Sequence, residues 1–272
     1  MSRPTAPRPP TNAAPVVELC GVGKAFPGGA VALDALTMTL APGEFVSLLG
    51  PSGCGKSTAL RLIAGLVEPT AGAIRSDFSG DQEGQAIGCV FQEPTLMPWA
   101  RVWDNVYLPL RLRGVSRKDA RPHVDSALHR VGLAEFARAY PHELSGGMKM
   151  RASVARAIVT RPALMMLDEP FAALDEITRF RLNDDLLALW AEQRWAALFV
   201  THSVFESVFL SSRVLVMSSR PGRVIEEVPV PLPYPRTPAT RTSAEYAQRC
   251  AQVSSALERA MAGAEEATTA RD

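Results

Sequence analysis

The sequence predicts an α/β fold with a helical insert, and three observations support this prediction. Short apolar stretches with strand character alternate along the chain with stretches whose apolar residues recur at helical spacing. A glycine-rich loop joins the apolar strand at residues 45–49 to the helix that follows it. From residue 102 to residue 131 the helical pattern continues without a strand, so this stretch is predicted to be an insert.

The composition of the chain limits its class. Its 272 residues, 47% of them hydrophobic, are enough for one sizeable core or for a core with a subdomain. The 29 basic and 28 acidic residues give a net charge of +1, which argues against a protein that coats nucleic acid. No apolar run reaches the roughly 18–20 residues that a membrane-spanning helix needs. The four cysteines form no C-x-x-C pair, which favours a reducing cytosol.

The two ends of the chain differ from its middle. Residues 1–15 contain five prolines and no apolar periodicity, so they are predicted to form a disordered tail without a secretory signal. Residues 229–238 are again rich in proline, and a capping-box pattern at residues 242–245 opens a last helix. We expect this short amphipathic helix to fold back on the body, with docking to a partner as the alternative. Its apolar stripe consists of Tyr246, Cys250, Val253, Leu257 and Met261.

The predicted elements between these ends follow from the apolar patterns and the turn residues. Strands are predicted at residues 16–20, 31–40, 45–49, 73–77, 86–91, 163–167, 197–200, 214–218 and 222–230. Helices are predicted at residues 60–67, 102–131, 149–160 and 172–193. Residues 24–29 are predicted to be a loop.

The glycine-rich loop fits the phosphate-binding pattern G-x-x-x-x-G-K-[ST] at every fixed position. Backbone N–H groups in such a loop form a concave anion site, and the following helix turns its positive end toward it. Lys56 is predicted to reach the β- and γ-phosphates of a nucleoside triphosphate, and the Ser57 hydroxyl to ligate Mg2+. Cys54 occupies a free position of the pattern and receives no role of its own. The predicted nucleotide-binding residues of this phosphate loop are Gly50, Pro51, Ser52, Gly53, Cys54, Gly55, Lys56, Ser57 and Thr58.

Two adjacent carboxylates, Asp168 and Glu169, follow the apolar strand at residues 163–167. At the carboxyl edge of a sheet, where α/β folds bind ligands, they indicate metal and proton chemistry; a solvated turn is the alternative. Asp168 suits Mg2+, directly or through water, and Glu169 suits a general base or a group that orients the attacking water. His202 follows another strand and is suited to contact the γ-phosphate, although a single histidine is more often structural.

Several other features allow two interpretations on local evidence. Phe26, on a loop ahead of the nucleotide site, can stack on adenine or pack at the edge of the core. The Gln92 amide can reach Mg2+ and the attacking water, or simply face solvent. The signature segment, Leu144–Met148, is either an anion-binding helix start or an ordinary N-cap. An aromatic group near the start of the insert is expected to pack in the core, with docking of a partner as the alternative. Its members are Trp99, Trp103 and Tyr107.

In combination, these segments resemble the ATP-binding subunit of an ABC transporter. The resemblance covers residues 16–230, and the Leu-Ser-Gly-Gly element of the signature segment is far more specific for this family than the phosphate loop. It implies a P-loop NTPase core, a mixed sheet with flanking helices, together with an antiparallel β subdomain. It also implies a helical subdomain, at about residues 93–160, that carries the signature. Residues 231–272 would then form a proline-rich bridge and the C-terminal helix.

The resemblance implies roles for the matched residues, with ATP and Mg2+ as cofactors. Phe26 would stack on adenine, and Gln92 would also couple the site to a membrane partner. Phe26 stands where Tyr is commoner and Met148 where Gln is commoner, but both differences are conservative for the inferred contacts. The catalytic residues would be Glu169, His202 and Gln92. The Mg2+ ligands would be Ser57, Gln92 and Asp168. The residues that serve or border the ATP held by a second subunit would be Ser145, Gly146, Gly147 and Asp175.

The finer resemblance is to importer subunits of the nitrate/sulfonate/taurine type. It is carried by residues 96–99, residues 102–106 and the Tyr234-Pro235-Arg236 sequence near the end of the chain. It implies an ATPase coupled to transport, present as a head-to-tail dimer of two copies and peripheral to the cytoplasmic face of the inner membrane. The expected partners are a separate integral-membrane permease and, indirectly, a substrate-binding protein, with no nucleic acid. The rival hypotheses are a soluble ABC ATPase not coupled to transport and a non-catalytic nucleotide-binding regulator.

Overall fold

The computed structural model describes residues 14–76 and 87–269, and the side chains only as far as residue 262. Most of the predicted disordered tail therefore lies outside the described residues. The described chain forms two compact units, one of residues 14–76 with 196–269 and one of residues 87–195. The predicted division at residues 15, 93, 160 and 230 remains a prediction.

The strands and helices are numbered in chain order. The strands are β1 Val17–Ala25, β2 Val31–Leu40, β3 Phe45–Leu49, β4 Ala71–Ser76, β5 Ile87–Val90, β6 Leu164–Asp168, β7 Ala196–Thr201, β8 Arg213–Met217 and β9 Val224–Pro229. The helices are α1 Lys56–Ile63, α2 Val102–Leu112, α3 Arg117–Arg130, α4 Gly146–Ile158, α5 Glu176–Gln193, α6 Val204–Leu210 and α7 Ala244–Thr269.

The first unit contains an antiparallel sheet in the order β2-β1-β4. In β2 the side chains of Leu36, Met38 and Leu40 are buried while the two threonines between them are exposed, which is the period-two pattern of a half-buried strand. The predicted bounds of β2 are confirmed. The predicted strand at residues 73–77 corresponds to β4, although residue 77 lies outside the described part of the chain.

The first unit also contains a mixed sheet, in which β7, β3 and β8 are parallel and β9 is antiparallel to β8. Every residue of β3 and β7 is buried, as expected for parallel strands covered on both faces. Helix α6 packs against β3, and α7 packs against α6, β8 and β9. The predicted mixed sheet and the back-folded C-terminal helix are thus confirmed.

The second unit is mainly helical, and its two strands, β5 and β6, are parallel. Helices α2, α3 and α4 pack against one another, and α4 packs on β5. The helical insert predicted at residues 102–131 is confirmed, and it consists of the two helices α2 and α3. The chain turns between them at Gly114, whose φ is +78°, and Ser116 begins α3 by accepting a hydrogen bond from the N–H of Asp119. Residue 86, the start of the predicted strand at 86–91, lies outside the described residues.

Other helix ends differ from the predictions for local reasons. Helix α1 ends before Val67, because Gly65 adopts a φ of +68° and the N–H of Leu66 bonds back to the carbonyl of Arg61. Helix α4 begins three residues before the predicted residue 149, and α5 begins at Glu176, after Asp175. Strand β1 extends through residue 25, into the predicted loop.

Two further differences concern the end of the first unit. The sequence patterns did not predict α6, although its Ser203-x-x-Glu206 start is a capping signal. Helix α7 is 26 residues long rather than short. Its stripe runs through Tyr246, Cys250 and Val253 as predicted and then through two buried alanines, while Met261 is 48% exposed. Because an α-helix has 3.6 residues per turn, the buried face of α7 shifts gradually along the sequence, and beyond Val253 it falls on residues 256 and 260.

Among the described residues, no helix combines the length and apolar character needed to cross a membrane. None of the four cysteines forms a disulfide, in agreement with the prediction from their spacing.

Candidate functional site

The phosphate loop leaves the end of β3 and enters α1, as the sequence predicts. Two of its glycines are required by close contacts. A Cβ atom on Gly55 would lie 2.7 Å from the carbonyl oxygen of Ala32, and Gly55 also has a φ of +103°. A Cβ atom on Gly50 would lie 2.9 Å from Sγ of Cys54 and 3.0 Å from Cβ of Met217. The loop therefore approaches its neighbours so closely that other residues would not fit at these positions.

Lys56 holds the loop in its curled form. Its side chain is only 4% exposed, and Nζ donates hydrogen bonds to the carbonyl oxygens of Gly50, at 2.8 Å, and Pro51, at 2.9 Å. The buried thiol of Cys54 lies 4.0 Å from the same nitrogen. Cys54 thus has a packing role that its free position in the pattern does not reveal. The arrangement fixes a positive charge inside the loop, next to the start of α1.

His202 lies beside the phosphate loop at the edge of the mixed sheet. Leu49 of β3 is paired with Thr201 of β7, so the loop and His202 leave neighbouring parallel strands at the same edge. The His202 side chain is exposed. The strand order of this unit therefore brings these two predicted site elements together, as expected for the carboxyl edge of a parallel sheet.

Phe26 directly follows β1 in the same unit and is half-buried. Nζ of Lys24 lies 5.4 Å from the centroid of its ring, within cation–π distance. The ring is therefore neither a fully buried core residue nor a fully exposed one. Its partial exposure is compatible with both interpretations that the sequence allowed.

The second unit places Gln92, Asp168 and Glu169 at one edge of its parallel strand pair. Val90 of β5 is paired with Leu167 of β6, so Gln92 and Glu169 lie just beyond neighbouring strand ends, and Asp168 is the last residue of β6. Gln92 is exposed, and both carboxylate residues are half-buried. Glu169 has a φ of +46°, a conformation that non-glycine residues rarely adopt. Such strain is concentrated at functional sites, because the surrounding structure must hold it in place.

Two polar side chains, one half-buried and one fully buried, hold the Gln92 segment by hydrogen bonds to its backbone. We define this segment as residues 92–101. Arg156 of α4 donates to the carbonyl oxygens of Pro94, at 2.9 Å, and Thr95, at 2.8 Å. Burial lowers the pKa of the Arg156 guanidinium. Asn105 of α2 is fully buried and accepts a hydrogen bond from the N–H of Met97 at 2.7 Å. Sequence reasoning gave neither residue a role of its own, although Asn105 lies in the segment 102–106 that carries the finer resemblance.

The signature segment forms the start of α4. Ser145 is its N-cap, and its hydroxyl accepts a hydrogen bond from the N–H of Met148 at 3.4 Å. A Cβ atom on Gly147 would lie 3.0 Å from Cγ2 of Thr178, so the start of α4 lies against the start of α5. Asp175 is the N-cap of α5 and accepts from the N–H of Thr178 at 2.9 Å. That hydrogen bond lowers the pKa of the Asp175 carboxyl.

The three aromatic residues near the start of the insert have different environments. Tyr107 is buried, and its hydroxyl donates to the carbonyl of Val115 at 2.7 Å. Trp103 is half-buried and donates from Nε1 to Asp125 at 2.8 Å. Trp99 is 77% exposed, so the prediction that it packs in the core is wrong. Trp99 lies on the segment that Asn105 and Arg156 hold.

Comparison with known proteins identifies the family of the chain. The family model described as ABC transporter matches residues 33–172, about half of the chain. A putative ATP-binding protein of Brucella abortus is 48% identical over 224 residues, which cover 81% of this chain and 85% of that protein. The aliphatic sulfonates import ATP-binding protein SsuB of Granulibacter bethesdensis is 46% identical over 224 residues, covering 82% and 88% of the two chains.

A solved structure gives the same result for the fold. The dimeric post-hydrolysis structure of the ATP-binding cassette MJ0796, bound to ADP and Pi, matches with a TM-score of 0.67 and 31% identity, covering 79% of this chain and 98% of that one. The chain therefore belongs to the ATP-binding subunits of the ABC transporter family. It is an ATPase with the P-loop α/β fold that the sequence predicts.

Proposed function

We propose that this ATPase powers the import of a small molecule of the nitrate/sulfonate/taurine class through a separate membrane permease. The observation that carries the proposal is the 46% identity to a protein named as an aliphatic sulfonates import ATP-binding protein, over 82% of this chain. A taurine import ATP-binding protein of Rhizobium johnstonii is 45% identical over 195 residues. Neither relative is a soluble ATPase of the rival class by name.

In this proposal the phosphate loop binds ATP. The curled backbone of residues 50–58 offers N–H groups to the phosphates, and Lys56 supplies the positive charge. The two carbonyl groups that now accept hydrogen bonds from Nζ are weaker partners for an ammonium group than the oxygens of a triphosphate. We expect the lysine to turn from the loop to the nucleotide when ATP binds. The half-buried ring of Phe26 stacks on adenine.

The predicted Mg2+ ligands fit this ion chemically. Ser57 offers a hydroxyl, Gln92 an amide oxygen and Asp168 a carboxylate, and Mg2+ prefers hard oxygen ligands of this kind. Gln92 lies beyond the end of β5, and Asp168 is the last residue of the neighbouring strand β6. The ion would neutralise charge on the phosphates of bound ATP. The described residues contain no cluster of three or more His, Cys, Asp or Glu side chains that would suit another metal.

Glu169 and His202 are proposed to act on the attacking water and the γ-phosphate. Glu169 accepts a proton from the water, or orients it, and its strained backbone holds the carboxylate in one direction. His202 donates a hydrogen bond to the γ-phosphate from the end of β7, beside the phosphate loop. Gln92 completes the proposed catalytic group by contacting the water and Mg2+.

A second copy of the chain is proposed to complete each site. The start of α4, with Ser145, Gly146 and Gly147, would contact ATP bound to the phosphate loop of the partner, in a head-to-tail dimer. Asp175 lies against that helix start and would cross the same interface. Closure of two copies around two ATP molecules would then move the permease, and hydrolysis would release it.

The permease is proposed to bind the Gln92 segment and the start of α2, at residues 92–106. Trp99 is the exposed aromatic residue of this surface, and aromatic residues of this kind often anchor protein interfaces. Through the permease the chain would be peripheral to the cytoplasmic face of the inner membrane and indirectly connected to a substrate-binding protein. The ATP-binding domain, residues 16–230, would carry all of these sites, and residues 231–272 would follow it.

The Glu169→Gln variant tests the proposed chemistry. Glutamine keeps the shape of the side chain but cannot accept the proton, so we expect hydrolysis to fall by about 10²–10⁴. ATP binding, measured with a fluorescent nucleotide, should remain within about twofold of wild type, and an ATP-bound dimer should accumulate in size-exclusion chromatography with light scattering. Glu176→Gln, on the exposed first turn of α5, is the matched control. Wild-type turnover by Glu169→Gln would refute the assignment of the base.

The transport proposal needs a separate measurement. Deletion of the gene should abolish uptake of radiolabelled taurine or a short alkanesulfonate, and the wild-type chain should restore uptake while Glu169→Gln should not. Unchanged uptake of both classes in the deletion strain would contradict the proposed cargo. It would leave the ATPase assignment intact.

A further inference from the structure

Helix α6 connects His202 to the C-terminal part of the chain. It has only seven residues and begins two residues after His202. A helix of this length is not stable alone in water, so contacts at its two ends determine its position. Its last four carbonyl groups, at residues 207–210, have no partner inside the helix. The hydrogen-bond partners of these carbonyl groups therefore determine the position of α6 and of the histidine before it.

Side chains from the chain after β9 satisfy the end of α6. Nη1 of Arg236 donates hydrogen bonds to the carbonyl oxygens of Val208, at 2.7 Å, and Phe209, at 2.9 Å. The hydroxyl of Tyr234 donates to the carbonyl oxygen of Leu210 at 2.8 Å. The remaining carbonyl, at residue 207, accepts from the backbone N–H at residue 211. All four groups are thus paired, three of them by the Tyr234-Pro235-Arg236 sequence.

Arg236 is a buried cation whose partners are the carbonyl groups at the end of α6 and not an acidic side chain. It is 5% exposed, and it forms no salt bridge with any carboxylate in the described part of the chain. Its two terminal nitrogens also donate to the carbonyl oxygens of Ser211 at 2.9 Å and Leu232 at 3.1 Å. The carbonyl end of a helix carries partial negative charge, which balances the guanidinium charge. Burial of an arginine in this way is costly, which indicates that its position matters.

The other end of α6 is held just as closely, on both sides of His202. The hydroxyl of Thr201 donates to Oε2 of Glu206 at 2.7 Å, and the N–H of Ser203 donates to the Thr201 hydroxyl at 3.0 Å. Ser203 in turn caps the N–H of Glu206. The residues before and after His202 are therefore both bonded into the first turn of α6. A shift of α6 must move His202 with it.

We propose that Arg236 is a positioning residue for ATP hydrolysis, which holds α6 and thereby fixes His202 next to the phosphate loop. The inference rests on the proposed function of His202. None of the hydrogen bonds of Arg236 reaches the phosphate loop, so the residue acts on turnover and leaves nucleotide binding unchanged. The Tyr234-Pro235-Arg236 sequence, which no motif of the nucleotide site explains, thus acquires a role.

A double-mutant cycle tests this proposal on the full-length protein. Arg236→Met removes all of the hydrogen bonds, and Arg236→Lys keeps the charge but concentrates the donors on one atom, which cannot span the carbonyl groups. We expect kcat to fall about tenfold in Arg236→Met and less in Arg236→Lys. The Kd for a non-hydrolysable ATP analogue should change less than twofold. Leu36→Ala, a fully buried position of β2 remote from α6, controls for a general loss of stability.

The decisive measurement is made in the His202→Ala background, under single-turnover conditions. If Arg236 acts through His202, Arg236→Met should lower the rate there by less than twofold, and hydrogen exchange should reveal faster exchange of the α6 amides. A full tenfold loss in that background would overturn the inference, as would an equal loss of kcat in Leu36→Ala. Should Arg236→Met fail to fold, the same comparison with Arg236→Lys decides. Full turnover by His202→Ala itself would instead refute the proposed role of His202.

Discussion

The starts of α1 and α4 are both glycine-containing helix ends, and α1 of one copy and α4 of the partner are proposed to contact the same ATP, but they are built differently. At α1, Gly55 is in the left-handed region and provides no side-chain cap, while the buried Lys56 supplies a positive charge. At α4, the Ser145 hydroxyl already accepts one N–H of the first turn, and the first turn contains no buried cation. The first helix start offers a ready anion site, whereas the second has the half-buried Lys149 as the cation of its first turn and offers a weaker contact.

This difference predicts the order in which the contacts form. The start of α1 has the charge and the uncapped N–H groups needed to bind a polyanion within one chain. The start of α4 has no buried cation in its first turn, so we expect it to contact ATP only after the nucleotide is held elsewhere. In a site that two copies of the chain build together, ATP can bind to one copy alone. Only the later turnover then depends on the second copy. The two helix starts can therefore be separated by substitution.

The largest effect is expected from Lys56→Met. The loss of a charged partner for the phosphates should weaken ATP binding by about 10²-fold or more, measured by titration with a fluorescent nucleotide. Lys118→Met, at an exposed position on α3, should bind normally. Because Lys56 also holds the phosphate loop, thermal unfolding should be followed in parallel. Binding within about threefold of wild type would contradict the primary role given to α1.

An intermediate effect is expected from Gly147→Leu. The added side chain would meet Thr178 and obstruct the surface of α4, so we expect turnover to fall by about 10- to 100-fold. Nucleotide binding by the single chain should remain unchanged. In the Glu169→Gln background the substitution should also prevent the ATP-bound dimer, measured by light scattering. If the wild-type chain hydrolysed ATP equally fast at concentrations where it is monomeric and where it is dimeric, the start of α4 would play no part in turnover. Met148→Leu, at the adjacent position, is the control.

The smallest effect is expected from Ser145→Ala. Removal of the N-cap should lower the free energy of unfolding by about 0.5–1 kcal/mol, at the low end for caps because the hydrogen bond is long, at 3.4 Å. Chemical denaturation measures this change. If turnover falls more than the lost stability explains, the hydroxyl also contacts the nucleotide of the partner. A stability loss without any change in turnover would reduce Ser145 to an ordinary N-cap.

Local patterns predicted most of the nucleotide site. Residues 50–55 form a loop after β3 and residues 56–58 begin α1, because the pattern of glycines, lysine and serine permits few other conformations. Asp168 and Glu169 were expected at a strand end and are found there. The errors occurred where the pattern was ambiguous. Trp99 was expected to be buried because it is aromatic, but exposure depends on which element covers it, and that cannot be read from residue type.

The sequence by itself determined the phosphate loop, the carboxylate pair, the signature helix start and the alternation of strands and helices. These features depend on residues close together in the chain, so backbone geometry and apolar periodicity are enough to predict them. Only the tertiary structure decided that Arg236 holds α6 and that Arg156 and Asn105 hold the Gln92 segment. Arg236 and Arg156 bond to carbonyl groups 28 and 61 residues away, whereas Asn105 bonds to Met97 only 8 residues before it. A buried polar group must find a partner, but only the folded chain determines which one it meets.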